Sequence, residues 1–396
     1  MRVVRTLLII FVSASLLGAS YVAGFGTYWL ISRARAQPRE EEASSLDVFW
    51  EAWHILDDEF LGDQPTDVER AYGAAHGMVD SFGDPYTLFV EPQPRELERD
   101  EMRGHFGGIG AWVAQDEEGH IILTPMKGQP ADRAGILEED IVIAVDGEDV
   151  TDMSYNDVVA LIRGPVGTIV KLTIRRPGVD EPLEFEVKRE RIELPTVEYR
   201  MLEEDPETGY ASIRLISERT PNELQDGLQD LREQGATRLI LDLRHNPGGA
   251  LLASVDVASQ FLSGGVVLYE ERKDGQEKPY HAGRSGLALD WPLVVLVDGA
   301  TASGAEIVAG ALQDHGRGHL VGEQTFGKGS VQHVHDLSDG SSLHVTVARW
   351  LTPHHHQINR QGLTPDEVVP FTEEDIAAGR DPQLERAIAY LTGQAS

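Results

Sequence analysis

The run Leu293-Val294-Val295-Leu296-Val297 breaks almost at once into Gly299-Ala300-Thr301-Ala302-Ser303-Gly304-Ala305-Glu306. Five consecutive apolar residues bounded by turn-forming ones read as a strand buried on both faces. A helix is expected directly after it, from Ala302 to Leu312. The same order occurs earlier in the chain. The strand Leu239 to Leu243 ends in Asn246-Pro247-Gly248-Gly249, and a helix is expected from about Leu252 to Leu262. A strand, a small-residue turn and a helix, repeated, specify an α/β fold.

The rest of the chain fits around this core. Phe49, Trp50, Trp53, Leu56 and Phe60 recur at three- and four-residue steps, which predicts an amphipathic helix over 46–60. A second helix is expected over about 67–81, closed by the turn Gly83-Asp84-Pro85-Tyr86. Residues 104–191 alternate short strands with one or two helices, starting from Gly107-Gly108-Ile109-Gly110. From 192 onward the pattern is α/β, with a last helix after Asp381-Pro382.

The chain has 396 residues, enough for two or three domains. It has no cysteine, so thiol catalysis, disulfides and cysteine-based zinc sites are excluded. A net charge of −32 argues against nucleic acid as a partner. The N-terminus differs from the rest. Between Arg5 and Arg33 the segment Thr6 to Ile31 carries no charge and is long enough to span a bilayer. Residues 1–36 are therefore expected to be a signal anchor or a signal peptide, with the anchor favoured on length, and 37–45 a linker. Ala34-Arg35-Ala36 offers a small-x-small cleavage site. The remaining chain is then expected outside the cytoplasmic membrane.

Ser303 and Lys328 carry the chemistry. Ser303 lies where a strand meets a helix, and a helix N-terminus presents unpaired N–H groups with partial positive charge. The Gly304 amide is one candidate oxyanion donor, and Gly248 or Gly249 a second. Lys328 lies in the turn Thr325-Phe326-Gly327-Lys328-Gly329. A lysine activates a serine only when its amine is neutral, which burial favours. Gly322-Glu323-Gln324-Thr325-Phe326-Gly327-Lys328 also begins like a phosphate-binding loop, but Gly329 stands where that loop needs Ser or Thr.

The segments Leu241 to Gly249, Ser303 to Asp314 and Gly322 to Gln332 together resemble the carboxyl-terminal processing peptidases, also called tail-specific proteases, peptidase family S41. The resemblance covers the chain from about residue 46 to its end. It implies a ClpP/crotonase-like α/β peptidase core over 192–396, an inserted PDZ domain over 104–191, and a helical region over 46–100. It places Ser303 on the nucleophile, Lys328 on the general base and Gln332 on the residue that positions the lysine. Asp314 falls on an acidic position sometimes included in the relay, although a carboxylate beside Lys328 would keep the amine charged. In the PDZ unit, Gly107, Gly108, Ile109 and Gly110 match the carboxylate-binding loop, and Ile109, Val158 and Leu161 the side-chain pocket. Arg163 is a candidate for coupling the PDZ unit to the active site. No cofactor and no metal are implied, and His354-His355-His356 is read as surface. The expected partners are protein substrates with apolar C-termini and, through the N-terminus, a membrane; a homo-oligomer is compatible with the chain. Two rivals stand beside this reading: an inactive PDZ scaffold, and a crotonase-type acyl-CoA enzyme, which accounts for neither Lys328 nor the PDZ unit.

Overall fold

The computed structural model describes residues 46–393 except 117 and 194. The segment Thr6 to Ile31 lies outside the described residues. Among the described residues no helix is long and apolar enough to cross a membrane. The chain divides after Ala74 into two compact units.

The first unit holds α1 (Asp47–Glu59) and the start of α2 (Asp67–Asp80). The three- and four-residue apolar spacing does form a helix. The rings of Phe49, Trp50 and Trp53 contact one another at 5.1, 5.7 and 6.0 Å. The Arg70 guanidinium lies 4.4 Å over Trp53 and ion-pairs with Asp57 and Asp67.

The second unit begins with β1 (Leu88–Val90) and α3 (Pro92–Arg103). The sequence then builds a small, mostly β module: β2 (His105–Gly108), β3 (Ala111–Gln115), β4 (Ile121–Pro125), α4 (Pro130–Ala134), β5 (Asp140–Val145), β6 (Glu148–Asp149), α5 (Tyr155–Ile162), β7 (Ile169–Arg175), β8 (Leu183–Lys188) and β9 (Glu190–Glu193). Its sheet runs β3-β4-β5-β7-β8, and β2 pairs with β9. The apolar residues of alternate strand positions, among them Leu123, Val142, Leu172 and Ile174, close on Val158 and Ile162 of α5 as one core. Arg189 is buried and donates to the Leu161 and Ile162 carbonyls, which α5 leaves unpaired at its C-terminus.

The α/β core follows with β10 (Val197–Met201), β11 (Thr208–Ile213), α6 (Thr220–Glu233), β12 (Arg238–Asp242), α7 (Leu251–Ala258), β13 (Val266–Arg272), β14 (Glu277–His281), β15 (Leu293–Val297), α8 (Gly304–Asp314), β16 (His319–Gly322), β17 (Ser330–Asp336), β18 (Ser342–Leu351), β19 (Glu367–Val368), α9 (Glu373–Ala377) and α10 (Pro382–Leu391). The main sheet is ordered β10-β11-β12-β15-β16-β19, parallel except for the β10–β11 pair. Leu239, Leu241, Leu293 and Val295 face α6, α7 and α8, whereas Ile240, Val294 and Leu296 face α10. Two-sided burial explains why β12 and β15 are apolar at every position but Arg238 and Asp242, the two ends of β12. Asp242 is buried against Arg244, which also reaches Asp381 at the start of α10. In the second sheet β17 lines one edge of β18, while β1 and β13 share the other.

Because β12 and β15 are adjacent and parallel, with Asp242 opposite Leu296, their carboxyl ends deliver two turns side by side. Those turns carry Gly248-Gly249 and Ser303. Ligand sites of open α/β sheets form at such edges.

Candidate active site

Ser303 departs from the regular helix expected over 302–312: its φ of 51° and ψ of −115° break the chain direction just before α8 begins at Gly304. A non-glycine residue with such a φ costs about 1–3 kcal/mol and persists only where its surroundings impose it. Here the Ala302 N–H donates to the Asn246 carbonyl (2.9 Å), and the Ser303 N–H donates to Glu306 Oε2 (2.9 Å). Asn246 is itself fully buried. Its Nδ2 donates to the Ile213 carbonyl and its Oδ1 accepts from the Gly248 N–H, both at 2.8 Å.

That last bond decides between the two candidate oxyanion glycines. The Gly248 N–H is taken by Asn246, whereas the Gly249 N–H has no partner among the described residues. The Gly304 N–H, at the first position of α8, is likewise left over by helix geometry. Gly248 contributes space instead. At φ 98° a Cβ there would lie 2.8 Å from Ser303 Cβ and 2.6 Å from the Gly304 nitrogen.

Glu306 is the residue that sequence reasoning missed. It is fully buried and accepts from the Ser303 N–H at 2.9 Å, the Gly327 N–H at 2.8 Å, the Lys328 N–H at 2.9 Å and the Thr325 hydroxyl. One carboxylate therefore holds the Ser303 turn and the Lys328 turn together. Burial pushes its pKa up, against the pull of these four donors. The signal was present: Ser followed three residues later by Glu before an apolar run is a helix-capping pattern.

The Lys328 turn is wedged from the other side by residues 358–362. Gly327 adopts φ 90°, and a Cβ there would lie 2.8 Å from the Gly362 nitrogen. The Trp350 indole N–H donates to the Lys328 carbonyl (3.0 Å). The Lys328 side chain is half-buried, with Nζ 5.2 Å from the Tyr86 ring centroid. Burial lowers the pKa of its amine, and the Glu98 charge partly offsets that. No carboxylate pairs with Nζ among the described residues.

Ser303, Gly304, Gly248, Gly249, Lys328 and Gln332 open onto one cavity of about 350 Å³. The Gln332 side-chain nitrogen donates to Ser330 Oγ (2.8 Å) and Thr346 Oγ1 (3.3 Å), leaving its carbonyl oxygen as the end able to accept from an amine. Arg95, Glu98 and Met102 of α3 form a further wall that was not expected. Asp314 is not brought to this cavity. It ends α8, about 16 Å along the helix from Ser303 at 1.5 Å per residue, and accepts from the His354 N–H (2.7 Å). His354 and His356 flank its carboxylate at 3.5 and 3.6 Å, and His355 stacks on Tyr269 at 4.2 Å.

In the module over 104–191, Ile109 and Val158 are 2% and 0% exposed, as core residues, so neither lines an open pocket in this state. Leu161 is half-buried against the same core. Gly107 and Gly108 pair with β9, while the N–H groups of Ile109 and Gly110 have no partner among the described residues. β3 lies at the edge of its sheet, and the Tyr155 hydroxyl donates to the Val113 carbonyl on it (3.2 Å). Arg163 does not reach the cavity; its guanidinium lies 4.1 Å over the Phe106 ring.

Comparison with known proteins matches this architecture. Residues 207–369 match peptidase family S41, and residues 121–176 match a PDZ domain. The carboxyl-terminal-processing protease of Synechocystis sp. is 36% identical over 348 residues, covering 86% of this chain and 81% of that protein. The carboxy-terminal processing protease CtpA of Bacillus subtilis is 37% identical over 324 residues, covering 81% and 68%. A solved S41 protease structure from Bacteroides fragilis, 15% identical, aligns over 88% of this chain and 98% of its own with a TM-score of 0.51, a likeness of fold. A PDZ module ahead of an α/β core, and identity to these relatives over most of the chain, give one conclusion: this chain belongs to the carboxyl-terminal processing proteases of the S41 serine peptidase family.

Proposed function

We propose that the chain is an endopeptidase working through a Ser303–Lys328 dyad, on proteins whose apolar C-terminal tails are captured by the PDZ domain. The observation that carries this reading is the common cavity: a strained serine, two unpaired backbone N–H groups and a lysine of lowered pKa open onto it. Neutral Lys328 takes the Ser303 hydroxyl proton as Oγ attacks the scissile carbonyl. The oxyanion is met by the Gly304 and Gly249 N–H groups; removing one such donor costs about 10²–10³ in rate. Collapse expels the amine of the C-terminal fragment, which leaves with the proton from Lys328. A water deprotonated by Lys328 then attacks the acyl carbon, and Lys328 returns the proton to Ser303 Oγ as the acyl–oxygen bond breaks. The Gln332 carbonyl oxygen positions the lysine amine.

The Ser303 hydroxyl and the Lys328 amine are not hydrogen-bonded among the described contacts. Catalytic hydrogen bonds commonly tighten only around substrate. Tail capture is supported by the unpaired Ile109 and Gly110 N–H groups, which suit a terminal carboxylate, and by the β3 edge, which has no strand on its outer side and suits an added one once the Tyr155 hydroxyl leaves the Val113 carbonyl. The N-terminal segment anchors the enzyme in the membrane with its PDZ and peptidase parts on the extracytoplasmic side. An unfolded protein ending in an apolar tail tests the dyad. Wild type cleaves it, and Ser303→Ala and Lys328→Ala each abolish cleavage while retaining the wild-type circular dichroism spectrum. Full activity in either variant would refute the assignment.

A further inference from the structure

A second cleft, of about 490 Å³, lies behind the lysine turn. Its cationic lining is Arg272, Lys273, Arg349 and Arg360, against Asp84 and Glu271. Of these acids, Glu271 is paired with a cation, whereas Asp84 has no cation partner among the described residues. Glu271 is bonded to Arg349, and Asp84 accepts from the Thr87 hydroxyl (2.6 Å). Lys273 and Arg360 are exposed and have no carboxylate partner among the described residues. In a chain with 66 acidic and 34 basic residues, such a grouping runs against the average charge.

The cleft adjoins the active-site cavity. Ser330 lines both, and Tyr86, whose ring faces Lys328 Nζ at 5.2 Å, is part of the cleft wall. Arg360 donates its backbone N–H to the Gly327 carbonyl (2.8 Å), so one loop borders the cleft and braces the lysine turn. The floor is β18. There β1 pairs with residues 342–344 and β13 with 348–351, leaving 345–347 without a strand partner on that edge, where the Thr87 hydroxyl oxygen accepts from the Thr346 N–H (3.1 Å).

The geometry points to a binding subsite for an acid-rich stretch of the polypeptide substrate, at a distance from the bond that is cut. Carboxylates would meet Lys273 and Arg360, while the backbone crosses the β18 floor over residues 346–348. A protein with a net charge of −32 repels acidic chains elsewhere, so this cleft both admits them and sets their register. The inference rests on the peptidase reading for its substrate, and its test does not depend on turnover.

Two labelled, unstructured peptides share one apolar C-terminal tail and differ only in an internal tract, Glu/Asp in one and Ser/Gly in the other. Their affinities for Ser303→Ala protein are measured by fluorescence anisotropy. The acidic peptide is expected to bind about fivefold tighter at low salt, from two exposed ion pairs, with the advantage lost at high salt. Lys273→Glu and Arg360→Asn should each reduce that ratio, and the neutral peptide reports that the variants are folded. Asn is chosen because Arg360 has φ 61°, which Asn tolerates. Equal affinity for the two peptides, or a ratio that survives both substitutions, overturns the subsite. If wild type binds the acidic peptide selectively but cuts neither, the peptidase reading fails and the subsite stands.

Discussion

In the proposed dyad, Lys328 is the residue whose state sets the rate. Its neutral amine is the reactive form, and burial draws its pKa below that of a free lysine. Below that pKa the amine carries a proton and cannot accept another. The profile of kcat/KM against pH is therefore expected to rise as Lys328 deprotonates and then to level. A rate that only falls from mildly acidic to mildly basic pH would exclude a lysine base. Glu306 acts through position. Replacing it in Glu306→Gln puts an NH₂ group among four donors, leaving at least one unpaired. We expect kcat to fall by roughly 10–100-fold, as for other misplaced reacting groups, with KM steady and the far-ultraviolet circular dichroism unchanged. A KM rise at constant kcat would instead assign Glu306 to substrate binding.

Among the elements, α3 does most to shape the cavity beyond the family motifs. Burial presses the Glu98 carboxyl pKa upward, but His344 and Arg95 outweigh it and hold it below the usual range. The resulting negative charge favours protonated Lys328. Glu98→Gln removes that charge, so the lysine pKa falls and the rising limb of the pH profile moves to lower pH, by up to about one unit. An unmoved limb would show that Glu98 is not felt at Nζ. This helix was hard to read from sequence, because Pro92–Arg103 offers only Leu97 and Met102 as apolar markers. The β13–β14 hairpin was missed for a related reason: Glu270, Glu271, Arg272, Glu277 and Lys278 hide the alternation that marks a strand. By contrast β12 and β15 were legible, since two-sided burial leaves an apolar run that little else produces. Ser303 was legible because its small-residue turn follows such a strand, and Lys328 because its glycine-flanked turn lies between the strands β16 and β17. Asp314, already argued against as a neighbour of Lys328, lies away from the cavity because the residues between it and Ser303 form a helix.

For the whole molecule, the highly acidic composition and the uncharged N-terminal stretch make different demands. In the proposed anchoring the acidic part stays in water, and Thr6 to Ile31, by its length and apolarity, spans the membrane. Expressed with residues 1–36, the protein is expected to sediment with membranes and to resist high-salt extraction, while a chain starting at residue 37 should be released. N-terminal sequencing of the mature protein would reveal a new terminus if the segment is cut. Glu306 has one more consequence at this scale. The turns bearing Ser303 and Lys328 hang from the same buried carboxylate, so neither is set unless the other has arrived. Hydrolytic competence is thus withheld from a half-folded chain, a safeguard against self-digestion in a protease.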